Sequence, residues 1–140
     1  MIEINNKTRS SINLSLVRRL TTKFLIKYRL HHQDISLVFV GDTVMRRLNK
    51  KWRNKDRVTD VLSFRDHDSA IRQPHYLGEI IIDYQQLKRQ AKTGQGNLSR
   101  ELIYILVHGL LHLVGYDDKT ERQAKRMHSL GTKFINQLKI

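Results

Sequence analysis

His108 and His112 stand four residues apart in the run ELIYILVHGLLHLVGYDD, which extends from Glu101 to Asp118. From Leu102 to Val114 that run is apolar on every side apart from the two imidazoles, with Tyr104 and Gly109 as lesser interruptions. A helix apolar all round is a buried helix, and imidazole nitrogens inside one are costly unless something satisfies them. Residues at i and i+4 share a face, with Cβ atoms roughly 5–6 Å apart. Both rings can therefore converge on one ion at about 2.0–2.1 Å per nitrogen. Gly115, three residues beyond His112, suits a left-handed C-cap that ends the helix and turns the chain back. Asp118, six residues beyond His112, can swing a carboxylate onto the open side of the ion. A lone histidine on an apolar face is usually a hydrogen-bonded core residue. Two at helical spacing, followed by a glycine turn and a carboxylate, favour metal instead.

The order His, three residues, His, two residues, Gly, two residues, Asp resembles the long zinc motif of the metzincin peptidases. Two positions differ. Gly109 stands where those enzymes carry the glutamate that serves as general base, and Asp118 stands where they carry a third histidine.

Composition narrows the partner. The chain has 140 residues and 39% hydrophobic content, enough for one domain, residues 1–140, with a sizeable core. It contains no cysteine, so disulfides and thiolate ligands are excluded and any metal must be held by nitrogen and oxygen. There is no apolar run long enough to span a bilayer. The opening MIEINNKTRS carries an acid and no apolar core, unlike a secretory leader. Lys and Arg number 26 against 13 acids, a formal net charge of +13. A surplus of that size favours a polyanion, with nucleic acid ahead of an anionic membrane because no basic helix with a strong aromatic face stands out. The plainer alternative is a basic protein that is merely soluble.

The elements that must position these residues follow from periodicity. Met1 to Asn5 reads as a short strand. Ile12 to Leu30 reads as an amphipathic helix with Leu16, Val17, Leu20, Phe24 and Tyr28 inward and Arg18, Arg19, Lys23 and Lys27 outward. His31 and His32 then form a solvated helix terminus. Ile35 to Val40 is β-branched and apolar, hence a buried strand. Asp42 is placed as the N-cap of a helix using Val44, Met45, Leu48 and Trp52. Seven cations fall between Arg46 and Arg57; they form either a solvated face or a phosphate track beside Trp52. Val58 to Phe64 and Leu77 to Ile82 read as strands around a polar loop at His67 to Pro74. Asp83 caps a helix running through Ala91. Thr93 to Asn97 connects to the histidine helix, and Lys119 to Leu138 gives a last basic amphipathic helix. The expectation is an α+β fold: a small mixed sheet, a buried metal-bearing central helix and about five helices in all.

HGLLHLVGYDD also resembles the signature of the YbeY family of bacterial metal-dependent endoribonucleases, usually HGxLHLxGYDH. Leu48-Asn49, Trp52-Arg53, Asp56 and Thr59 to Phe64 are similar to the family's second block, and Leu77-Gly78-Glu79-Ile80 to its LGDI segment. The blocks keep family order and spacing across nearly the whole chain. The resemblance implies a zincin-like layered fold and single-strand-specific cleavage of RNA. It implies a role in maturation of the 16S rRNA 3′ end and in ribosome quality control, with rRNA and the small ribosomal subunit as partners in the cytoplasm. His108 and His112 match the family's first two zinc ligands, and Arg53 its functional arginine. Asp118 replaces the third ligand histidine, Val58 the usual proline, and Arg65 follows Phe64 where proline is common. Two histidines and one carboxylate with an open fourth position make a legitimate catalytic zinc site. The same set also admits iron(II) or manganese. Asp117 is the competing carboxylate, and His128 and His75 are reserve ligands.

On this reading one Zn2+ ion serves hydrolysis of a phosphodiester. Arg53 offsets charge building on the phosphoryl group, and Lys50, Lys51 and Arg57 hold the backbone. Three alternatives compete. A metallopeptidase-like hydrolase shares the paired histidines but lacks the glutamate base. A non-catalytic rRNA- or ribosome-binding module needs the basic surface and no metal. An iron oxygenase uses the same ligand types.

Overall fold

A computed structural model describes residues 1–66, 75–94 and 96–138. The loop expected at residues 67–74 lies outside the described residues. In chain order the elements are β1 (Ile2–Asn6), α1 (Leu14–Lys27), β2 (Asp34–Val40), α2 (Asp42–Arg53), β3 (Val61–Arg65), β4 (Tyr76–Asp83), α3 (Tyr84–Thr93), α4 (Leu98–Leu113) and α5 (Glu121–Gln137). The strands form a mixed sheet in the order β1-β2-β4-β3. β1, β2 and β4 run parallel, and β3 pairs antiparallel to β4 at one edge.

Side chains alternate across a strand, and here the alternation assigns the helices to faces. Ile80 and Ile82 point into the main core with α1, α3, α4 and α5. Ile81 and Leu62 point the other way, into a smaller cluster with Val40 and Met45 of α2. α2 therefore covers one face of the sheet and α4 the other. Leu102, Ile105, Leu106, Val107, Leu110, Leu111 and Leu113 of α4 are all buried, as an all-round apolar helix requires. Tyr104, His108 and His112 form the stripe that interrupts this coat.

The local signals explain most boundaries. Asn13, Asp83 and Asn97 cap α1, α3 and α4 with side-chain oxygens, and Thr120 and Gln123 make a capping box at the start of α5. Three expectations differ. α1 ends at Lys27 with Tyr28 as its C-cap, so His31 and His32 lie in the turn before β2 and not at the helix terminus. Asp42 is the first helical residue of α2 rather than its cap, which is Gly41 with no side-chain bond. Its carboxylate is instead held by Arg89, at 2.7 and 3.0 Å. β3 begins at Val61 rather than Val58. The residues before it are in a turn tied down by buried Asn49, which donates from Nδ2 to the Arg57 carbonyl at 2.9 Å.

Candidate metal centre

α4 ends in the manner the glycine spacing predicts. Gly115 has φ +110°, the Gly115 N–H reaches the His112 carbonyl at 3.1 Å, and the Tyr116 N–H reaches the Leu111 carbonyl at 3.0 Å. These two bonds make a Schellman motif, which needs a residue tolerant of positive φ. The turn reverses the chain, so that Asp117 and Asp118 come back past the last turns of α4.

Three atoms then meet. His108 Nε2 and His112 Nε2 are 3.1 Å apart, and Asp118 Oδ2 lies 3.4 Å from the first and 3.8 Å from the second. Around a tetrahedral ion with bonds of about 2.1 Å, neighbouring ligand atoms stand about 3.4 Å apart. The observed edges bracket that value, so the donor set fits a divalent ion and leaves one side of the triangle for a fourth ligand. His108, His112 and Asp118 form a group of metal-ligating type whose ligand atoms all lie within 4.8 Å of one another.

The protonation states agree with a ligand role. His112 Nδ1 lies 2.9 Å from the Tyr116 carbonyl oxygen. A carbonyl can only accept, so Nδ1 carries the proton and the Nε2 lone pair faces the other two donors. For His108, burial is the largest of several influences and, with the neighbouring His112, holds the imidazole below its ordinary pKa against the opposing pull of Asp118 and Asp60. The neutral, ligating form is thus favoured. Asp117 sits on the wrong side of His112, with Oδ1 3.9 Å from Nδ1. Neither reserve histidine joins the trio. His75 lies beside His32, ring centroids 6.5 Å apart, and His128 faces Tyr104 at 6.3 Å.

Gly109 has a packing reason. A Cβ there would stand 3.0 Å from Ile80 Cγ2 and 3.3 Å from Ser63 Oγ. α4 therefore approaches the sheet at glycine distance, with the Ser63 hydroxyl donating to the Gly109 carbonyl at 3.2 Å. A side chain at the position that holds a glutamate base in peptidases would be crowded, and Ile80 and Ser63 would have to give by a few tenths of an ångström.

The basic residues make no direct bond to the trio among the described residues. Lys50, Lys51, Arg53 and Arg57 are exposed at the end of α2 and in the loop beyond it, and among the described residues no hydrogen bond or ion pair joins Arg53 to the three ligands. Lys51 Nζ lies 5.1 Å above the ring of exposed Trp52. Sequence reasoning missed Arg65. Its Nη1 comes within 3.8 Å of where a Gly115 Cβ would stand, so β3 carries a guanidinium to the turn that shapes the centre. Only the alignment of β3 with α4 reveals this.

The chain's likeness to known proteins agrees with this picture. The family model described as endoribonuclease YbeY matches residues 2–139. A protein of Sulfurihydrogenibium named endoribonuclease YbeY is 37% identical over 98% of this chain and 91% of its own length. One of the same name from Myxococcus xanthus is 41% identical over 86% of this chain, a match that spans 42% of that longer protein. A solution structure of a Thermotoga maritima protein superimposes with a TM-score of 0.68 at 25% identity, covering 96% of this chain and 87% of that one.

Proposed function

Because the chain belongs to the YbeY endoribonuclease family, we propose that it is a metal-dependent endoribonuclease acting on single-stranded RNA, with residues 1–140 serving as one catalytic domain. The observation that carries this reading is the convergence of His108 Nε2, His112 Nε2 and Asp118 Oδ2 at the spacing of a tetrahedral ion. Zinc is the ion of choice for this donor set, and iron(II) or manganese is the alternative the carboxylate admits. A divalent ion held there supplies a water of lowered pKa and a positive charge for a phosphoryl oxygen.

The chain's own residues do the rest. The Tyr116 carbonyl keeps His112 in the ligating tautomer, and burial keeps His108 neutral. No carboxylate at position 109 assists. Arg53 supplies a guanidinium for the charge that builds on the phosphoryl group, and Arg65 adds a second one at the Gly115 turn. Lys50, Lys51 and Arg57, exposed at the end of α2 and in the loop beyond it, hold backbone phosphates. The substrate in this reading is the 16S rRNA 3′ end in the small ribosomal subunit, met in the cytoplasm. Among the described residues no helix is long and apolar enough to cross a membrane.

The test is cleavage of matched single-stranded and duplex RNAs by the zinc-loaded protein. Cutting of the single strand, lost in His112→Ala, is the expected result. Equal cutting by His112→Ala would remove the trio from the reaction. The peptidase alternative is disfavoured by the crowding at Gly109 and by the net charge.

A further inference from the structure

A cavity of about 170 Å3 opens between α4 and α5, directly beside the trio. His108 and Asp118, two of the three candidate ligands, form part of its wall. Its inner surface is apolar, made by Val107, Leu111, Met127 and Ile135. Gly131 of α5 adds no side chain, and a Cβ there would still stand 3.6 Å from both Leu111 and Val107. On the solvent side are two rings. Tyr104 is 41% exposed, although the helix around it is buried. It stacks on His108 with centroids 6.2 Å apart and planes 26° apart, and faces His128 at 6.3 Å.

We propose that this cavity receives one unpaired nucleobase of the RNA, carried by a nucleotide adjoining the phosphate held at the trio. The inference rests on the RNA-cleaving reading above. Three observations support it. Its lining combines apolar side chains with an exposed aromatic ring, the surface on which bases stack. It shares His108 and Asp118 with the metal centre, so its occupant must lie within one nucleotide of the group on the ion. Its polar rim, Asp118 and His128, offers hydrogen-bonding groups to a base edge, while the chain's +13 charge selects a polyanion over a peptide side chain. A base stacked and paired in a duplex cannot enter such a slot without being flipped out, so the cavity also supplies a physical origin for single-strand preference.

The experiment measures binding of a short 2′-O-methyl oligonucleotide, checked to stay intact over the titration, to the zinc-loaded chain, with each base in turn replaced by an abasic unit. Cleavage of the matching all-RNA strand is measured alongside. One abasic position is expected to weaken wild-type binding about tenfold, the scale of a single base–aromatic stack. That penalty should shrink to less than about twofold in Tyr104→Ala and persist in Tyr104→Phe. A flat abasic scan from a protein that still cleaves RNA would overturn the base site while leaving the nuclease reading intact. Neither binding nor cleavage by the wild type would overturn both.

Discussion

The Nδ1 of His112 lies 2.9 Å from the carbonyl oxygen of Tyr116, so the turn that stops α4 also sets the tautomer of a candidate metal ligand. Fold and chemistry meet at that one contact. Gly115 makes it available, because its φ of +110° directs the chain back under the imidazole. Replacing Gly115 by alanine should cost about 1–2 kcal/mol of stability through the strained φ. It should also weaken zinc binding about tenfold or more, as loss of a ligand-orienting partner does. Thermal melting and a zinc titration measure the two effects. Unchanged zinc affinity in a destabilised protein would separate the turn from the site.

Gly109 offers a direct test against the peptidase reading. Gly109→Glu would restore the metzincin pattern, but its Cβ would press on Ile80 and Ser63. Overpacking of this kind costs about 1–3 kcal/mol, partly offset by the better helix propensity of glutamate over glycine, by up to about 1 kcal/mol. The expected outcome is a lowered melting temperature and no peptide hydrolysis. A stable variant that cleaves peptides would show that only the missing base separates this chain from a peptidase.

Asp83 makes stability depend on pH. Its side chain is fully buried; Oδ1 accepts from the Gln86 N–H at 3.2 Å, while Oδ2 faces the Asp42 carboxylate's field with no other hydrogen-bond partner among the described residues. Burial, reinforced by the nearby Asp42 carboxylate, raises its pKa to about 7. The folded state therefore binds this proton more tightly than the unfolded chain. Stability from this group is retained below the ordinary carboxylate range and lost as pH rises from about 4 to about 7, by on the order of 2–4 kcal/mol. Asp83→Asn keeps the capping oxygen and removes the ionisation. It should flatten the slope and be the more stable protein at pH 8, as urea midpoints at several pH values would show. A wild-type stability that rises over that window would contradict the assignment.

What the sequence made legible was local. The His108–His112 spacing, the Gly115 turn and the reach of Asp118 all depend on helix geometry and one cap, and they appear in the structure as read. So do the caps at Asp83 and the burial of α4. What escaped depends on contacts distant in sequence. Asp42 looks like a cap until Arg89, from another helix, claims its carboxylate. Val58 looks like strand until Asn49 ties the Arg57 carbonyl into a turn. Arg65 and the Tyr104–His128 cavity depend on how β3 and α5 lie against α4, which no periodicity encodes.

One ion held by His108, His112 and Asp118 is what the proposed chemistry requires above all. Its most direct test is elemental analysis of the full chain purified without chelators, comparing wild type with His112→Ala and Asp118→Ala, each checked for native helix content. About one divalent ion per chain is expected in the wild type, almost none in His112→Ala, and a clearly reduced amount in Asp118→Ala. Equal metal content in wild type and His112→Ala would contradict the proposed centre.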